Sequence, residues 1–212
     1  MLSNIENVLV LSPHTDDGEL GAGGTICKLG EMGAKIHYVA FSTAEESVPD
    51  HLPRDILKTE VRNATKLLNI LPENLHILDY KVRNLNYRRQ DILEYMISLR
   101  SGIKFDLVFT PSLNDVHQDH EAVSREALRA FKNTKILSYE LIWNNLNFNT
   151  SCFFGLEERH VRQKALALEE YKSQSHRKYM SSEFVFSLAQ TRGVQISRPY
   201  AEAFEVVRWI VS

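Results

Sequence analysis

A regular alternation of short, wholly apolar runs with longer stretches of helical spacing restricts this chain more than any other feature. Val8-Leu9-Val10-Leu11 is apolar at every position, where a half-exposed strand would alternate, and it ends in Ser12-Pro13. Such a run reads as a strand covered on both faces. Residues 19–32 follow with Leu20, Ile26, Leu29 and Met32 at helical spacing and Gly33 as a stop. The pattern recurs, with strands expected at 36–41, 75–78, 107–109 and 136–143 and helices at 54–69, 90–101 and 120–132. Strand–helix alternation over two-thirds of the chain predicts an α/β domain with a mainly parallel sheet flanked by helices. The last third is less regular: helices are expected at 157–172 and 182–190, and the apolar run 203–210 reads as a strand. No linker, repeat or low-complexity tract interrupts the 212 residues, so a single domain over 1–212 is expected.

Composition narrows the function classes. Hydrophobic residues at 43% and charged residues at 25% fit an ordinary globular protein and argue against disorder. With 25 basic and 27 acidic residues the net charge is −2, so no broad basic face for nucleic acid is implied. The two cysteines, Cys27 and Cys152, are far apart and read as reduced thiols. No apolar run approaches the roughly 18 residues needed to span a bilayer. Residues 1–6 lack the basic start of a signal peptide, so a cytoplasmic protein is expected.

In open α/β sheets, ligands sit beyond the carboxyl ends of the strands. Two polar clusters stand there. The first is Pro13-His14-Thr15-Asp16-Asp17-Gly18-Glu19. Helix capping accounts for one acid at such a position, but not for a histidine with two adjacent carboxylates, which repel unless a cation relieves them. The second is Asp115-Val116-His117-Gln118-Asp119-His120. Together they offer His, Asp and His as metal ligands with a fourth position open, as a catalytic zinc site requires. Carboxylates remain to transfer protons and to orient an imidazole.

These clusters resemble the paired signatures of the LmbE/PIG-L family of zinc-dependent N-acetylglucosaminyl deacetylases. The first signature, His-x-Asp-Asp and a glycine-rich helix start, is matched by His14-Thr15-Asp16-Asp17 and Gly18 to Gly24; the second, His-x-Asp-His, by His117-Gln118-Asp119-His120. Glu60 with Ala64 and Leu67-Leu68, Tyr171-Lys172-Ser173-Gln174, and Tyr200 to Phe204 resemble further family segments. The resemblance implies a Rossmann-like fold and a zinc ion held by His14, Asp17 and His120, with another divalent metal such as Fe2+ as an alternative. It implies that Asp16 is the general base on the metal-bound water. It also implies that His117, with Asp119 holding its ring, stabilises the oxyanion and helps protonate the leaving amine. The substrate would be an amino sugar or its conjugate, and the reaction removal of its N-acetyl group. Family members range from monomers to hexamers, so a homo-oligomer is open.

Substrate contacts are less clearly inscribed. Members often carry a substrate-contacting arginine on the second helix, where this chain has Leu57, so Arg54 or Lys58 would substitute. Asp79 follows the third strand, where the family has a substrate-facing acid. Arg192 and Glu202 would approach the site if the C-terminal segment folds back over it. Lys81, Arg83, Arg88 and Arg89 form a basic stretch that reads as a solvated loop and helix start, or as a phosphate contact. Asn144 to Asn149 reads as a loop that could border the pocket. The glycines 18, 21, 23 and 24 do not fit a dinucleotide fingerprint and suit close helix–sheet packing. Rival readings are an amidase or deformylase acting on a thiol-conjugate or nucleotide-sugar amide at the same metal site, a metal-dependent phosphoesterase, and a non-catalytic metal- or sugar-binding module. The last is disfavoured because Asp16 and Asp119 serve catalysis rather than ligation.

Overall fold

The computed structural model describes residues 5–211. Thirteen main elements follow one another: β1 (Asn7–His14), α1 (Asp17–Glu31), β2 (Lys35–Ser42), α2 (Ile56–Leu67), β3 (Leu75–Ile77), α3 (Arg89–Gly102), β4 (Leu107–Pro111), α4 (Gln118–Ala130), β5 (Lys135–Tyr139), β6 (Cys152–Leu156), α5 (Glu158–Glu169), α6 (Ser182–Val194) and β7 (Tyr200–Arg208). All seven strands join one sheet in the order β3-β2-β1-β4-β5-β7-β6. The first five pair in parallel, and β7 is antiparallel to both β5 and β6. The fold is thus a single Rossmann-like α/β domain with a mostly parallel sheet.

The apolar β1 run divides between two cores because side chains alternate across a strand. Val8 and Val10 face the layer that holds Leu20 of α1, Val61 of α2, Val161 of α5 and Val185 of α6. Leu9 and Leu11 face Ile92 of α3 and Val123 of α4. All four β1 side chains are fully buried, each contributing about 1.5–3 kcal/mol of apolar burial. Helix α1 lies unusually close to the sheet. A Cβ on Gly21 would stand 2.3 Å from the Tyr139 ring, and one on Gly18 2.6 Å from that of Tyr38. Glycine at these positions lets the first turn of α1, and the acids on it, settle onto the strand ends.

Two expectations need correction. The strand expected to reach residue 143 stops at Tyr139, because the Leu141 N–H donates to Asn145 Oδ1 at 2.6 Å and Glu140 turns to pair with Arg192. The edge strand β6 was not expected; it is short, partly exposed and has no helix after the preceding strand to announce it. Among the described residues no helix is long and apolar enough to cross a membrane.

Candidate functional site

The sheet order places β1 between β2 and β4, so the chain departs to opposite sides from the carboxyl ends of β1 and β4. That crevice is where an open α/β sheet gathers a ligand site. Both sequence clusters meet in it. His14 ends β1 and Asp17 begins α1. Ser12 Oγ binds the turn between them, accepting from the Gly18 N–H at 2.9 Å and donating to the His14 carbonyl at 2.5 Å. From β4, Asp115 Oδ1 accepts the His117 N–H at 2.8 Å, and His117 Nδ1 caps α4 by accepting the Asp119 N–H at 3.1 Å. Asp16 stands at the N-cap of α1 but makes no capping hydrogen bond with its side chain. Capping therefore does not explain it.

Three donor atoms converge. Asp17 Oδ2 lies 3.1 Å from His14 Nδ1 and 3.2 Å from His120 Nε2, and those two nitrogens are 3.2 Å apart. Ligands about 2.1 Å from a tetrahedral zinc stand about 3.4 Å from one another, so this triangle has the dimensions of one face of such a site. The outer nitrogens fix the tautomers. His120 Nδ1 is 2.7 Å from Asp115 Oδ2, and His14 Nε2 is 3.1 Å from Asp119 Oδ2. Each outer N–H is tied to a carboxylate, so each inner nitrogen is the atom that can offer a lone pair beside the Asp17 carboxylate once its own proton is lost. Three donor atoms this close need positive charge among them, as protons on the inner nitrogens or as a metal ion. His117 also brings a ring nitrogen within 4.8 Å of those of His14 and His120. The tighter triangle includes Asp17 rather than His117, whose Nδ1 is occupied by the α4 cap.

The electrostatics agree with a cation-seeking centre. Burial disfavours charge on His14, but Asp17 and Asp119 outweigh it and lift the pKa to about 9. Burial acts likewise on His120, and Asp17 and Asp115 lift it to about 10. Burial would raise Asp17, yet His120 and His14 hold its carboxyl well below the usual range. Asp16 is different: burial and the adjacent Asp17 push it up to about 6. Burial and the neighbouring His120 and His14 press His117 down to about 4, leaving its ring neutral at pH 7. Behind the cluster, Glu19 is fully buried and accepts from the Tyr38 and Tyr171 hydroxyls, and burial pushes it up to about 8. It braces the Thr15 turn, whose carbonyl accepts from Tyr171 at 2.6 Å.

These three donors face a cavity of about 310 Å³, whose wall includes Thr15, Asp16, Leu57, Arg83, His117 and Trp143, together with Asn144, Gln174, Arg177 and Tyr179. The expected role of Asp119 is corrected: its carboxylate holds His14, not the His117 ring, and is fixed by the Arg83 and Leu85 N–H groups at 2.6 and 3.1 Å. The expected substrate contacts Arg54, Lys58, Asp79, Arg192 and Glu202 lie outside the cavity wall. Arg54, in the turn before α2, pairs with Asp50, and Lys58, on the outer side of α2, pairs with Glu45, while Leu57 is buried. Asp79 is exposed. Arg192 pairs with Glu140. Glu202 accepts from the Gly24 and Thr25 N–H groups at 3.0 and 2.7 Å and pairs with Lys164 at 2.7 Å, so it is a strut of α1. In the basic stretch, Lys81, Arg88 and Arg89 pair with Glu46, Asp91 and Glu126, and Arg83 alone reaches the cavity. Sequence reasoning assigned no role to Asp115, whose position two residues before His117 was the available signal. It also missed Arg177 and Tyr179, which lie in an irregular late segment with no motif to mark them.

Comparison with known proteins adds an independent line. Residues 9–131, more than half of the chain, match the family model described as PIG-L, GlcNAc-PI de-N-acetylase. The chain is similar to a protein from Escherichia coli (strain K12) named an uncharacterized deacetylase, YaiS, at 28% identity over 177 residues, covering 79% of this chain and 91% of that protein. Among solved structures, N,N'-diacetylchitobiose deacetylase from Pyrococcus horikoshii superposes with a TM-score of 0.76 at 21% identity, covering 97% of this chain and 85% of the other. GalB, the 4-carboxy-2-hydroxymuconate hydratase from Pseudomonas putida KT2440, superposes with a TM-score of 0.79 at 19% identity, covering 98% of each.

Proposed function

Since this chain belongs to the PIG-L family of de-N-acetylases, we propose that it is a zinc-dependent hydrolase that removes the N-acetyl group from an amino sugar or amino-sugar conjugate. The fold alone does not select this reaction, because a hydratase shares it. The observation that carries the reading is the triangle of His14 Nδ1, Asp17 Oδ2 and His120 Nε2, with edges of 3.1–3.2 Å, open to a cavity.

When bound there, zinc supplies a Lewis acid and brings the pKa of a coordinated water to about 7. The chain's own groups do the rest. Asp16 lines the same cavity, makes no capping bond and holds its proton to about pH 6, which suits a base that accepts a proton and later returns it. His117 accepts the Asp119 N–H at Nδ1, so its own proton sits on Nε2. A neutral ring in that tautomer donates a hydrogen bond to the developing oxyanion, an interaction worth about 3–4 kcal/mol in comparable sites. A neutral imidazole is a poor acid, so the leaving amine takes its proton from Asp16. His117 then acts by donation alone, a narrower role than the resemblance implies.

The test combines metal analysis with acetate release from N-acetylamino sugars, free and conjugated. Asp16→Asn is expected to keep one zinc per chain and to lose at least about a hundredfold in kcat, the usual scale for a general base. Loss of zinc from that variant would make Asp16 a ligand and overturn the assignment.

A further inference from the structure

Among the described residues, two arginines on the cavity wall hold no carboxylate by direct contact, although the Arg177 charge acts on Asp16. Arg83 reaches only Ser47 Oγ, at 3.4 Å, and Arg177 donates to the Tyr179 hydroxyl. Among the described residues neither makes an ion pair within 4.0 Å, whereas Arg54, Arg89, Arg129 and Arg192 each hold a carboxylate. Arg177 Nε is buried and has no hydrogen-bond partner. Its guanidinium lies 5.8 Å from the centre of the Tyr179 ring, which stacks on Trp143 at 3.8 Å and 9°. The cation is thus held on an aromatic ledge with donors unused.

Arg83 is unusual in its backbone as well. Its φ is +65°, the left-handed region that glycine enters freely and a long L side chain does not. That conformation aims the Arg83 N–H at Asp119 Oδ2, 2.6 Å away. Glycine would do this service without strain, so the arginine side chain is surplus to the backbone's need. It is exposed and lines the cavity. Strain tolerated beside a site points to a use for the side chain that bears it.

We propose that Arg83 and Arg177 together read an anionic group, carboxylate or phosphate, on the conjugated part of the substrate. The inference rests on the deacetylase reading, because the acyl end must lie at the three-donor centre and the arginines, on the wall of the same cavity, then meet the rest of the substrate. Guanidinium forks suit both anions, and a charged hydrogen bond made in a partly dry pocket is worth about tenfold or more in binding.

The experiment titrates three deacetylated ligands into the zinc-loaded protein: methyl glucosaminide, glucosamine 1-phosphate and a glucosaminide of a hydroxy acid. The wild type is expected to bind at least one anionic ligand about tenfold or more tightly than the neutral one. Whether phosphate or carboxylate is preferred identifies the source of the charge. Arg83→Gly is expected to raise the melting temperature of the metal-free protein and cut the preference about tenfold, and Arg177→Gln to cut it without changing zinc content. Equal affinity for all three ligands, no binding of any of them, or a uniform loss across all three in the variants overturns the proposal. So does a fall in the melting temperature of Arg83→Gly. Acetate release from the matching N-acetyl compounds is followed separately. Anion preference without acetate release would sink the deacetylase reading and leave the arginine pair standing.

Discussion

A carboxylate behind an imidazole decides what its far nitrogen can offer. Asp115 on His120 and Asp119 on His14 each hold the outer proton, which makes the inner nitrogens stronger donors to a cation. Asp115→Ala is therefore expected to weaken zinc affinity about 10–100-fold while the fold stays intact, measured by competition with a chromogenic chelator. The raised histidines add a second expectation. With pKa values near 9 and 10, His14 and His120 are both protonated at pH 7 in the metal-free protein. Zinc must displace those protons, so binding at pH 7 should release close to two per ion, seen as a buffer-dependent heat in titration calorimetry. Release of fewer than one would mean that at least one inner nitrogen is already bare. At this scale the sequence was informative where donors sit together, as in His14 to Asp17 and His117 to His120. It was silent where they do not, because Arg177 and Tyr179 reach the cavity from a segment of short turns.

Helix α1 depends on a partnership that no local pattern announces. Lys164 Nζ donates to the Leu20 carbonyl at 2.6 Å and to Glu202 at 2.7 Å, and Glu202 accepts from Gly24 and Thr25. This pair, with side chains 8% and 7% exposed, is wedged against the middle of the helix whose first turn carries Asp17. Glu202→Ala would strand the Lys164 ammonium, and a loss of about 3–5 kcal/mol of stability is expected on denaturant unfolding. Replacing both with apolar residues should recover most of that, which separates the cost of an orphaned charge from the worth of the pair. Strands buried on both faces, such as β1 and β4, were legible from apolar runs alone. Edge strand β6 was not, since a half-exposed segment of five residues carries little signal. The early stop of β5 was hidden too, because the Asn145 side chain that ends it acts across a loop.

For the whole molecule, metal and protons compete to satisfy one centre. A histidine whose pKa is raised by folding stabilises the native state fully below its unfolded value near 6.5, and that contribution fades as pH rises through the folded value. For His14 and His120 the window runs from about 6.5 to about 9 and 10. The metal-free protein should therefore lose melting temperature between pH 7 and 9 faster than the zinc-loaded form. The gap between the two should widen with pH, as differential scanning calorimetry would show. A constant gap would mean that these histidines are not the groups that trade protons for metal.

His14 and His120 are separated by 106 positions, the first at the end of β1 and the second in the first turn of α4, so the ion would act as a clasp joining two remote points of the chain. Neither flank can hold it alone, since the first offers two donors and the second one. During synthesis the clasp cannot close until α4 has emerged and β4 has docked beside β1. Metal loading then cannot be the template for the first half of the fold, and a chain truncated or stalled before α4 should acquire no tightly held ion to defend it from proteolysis. Once closed, the clasp ties off a long loop, a constraint that gains most when the ends are far apart along the chain.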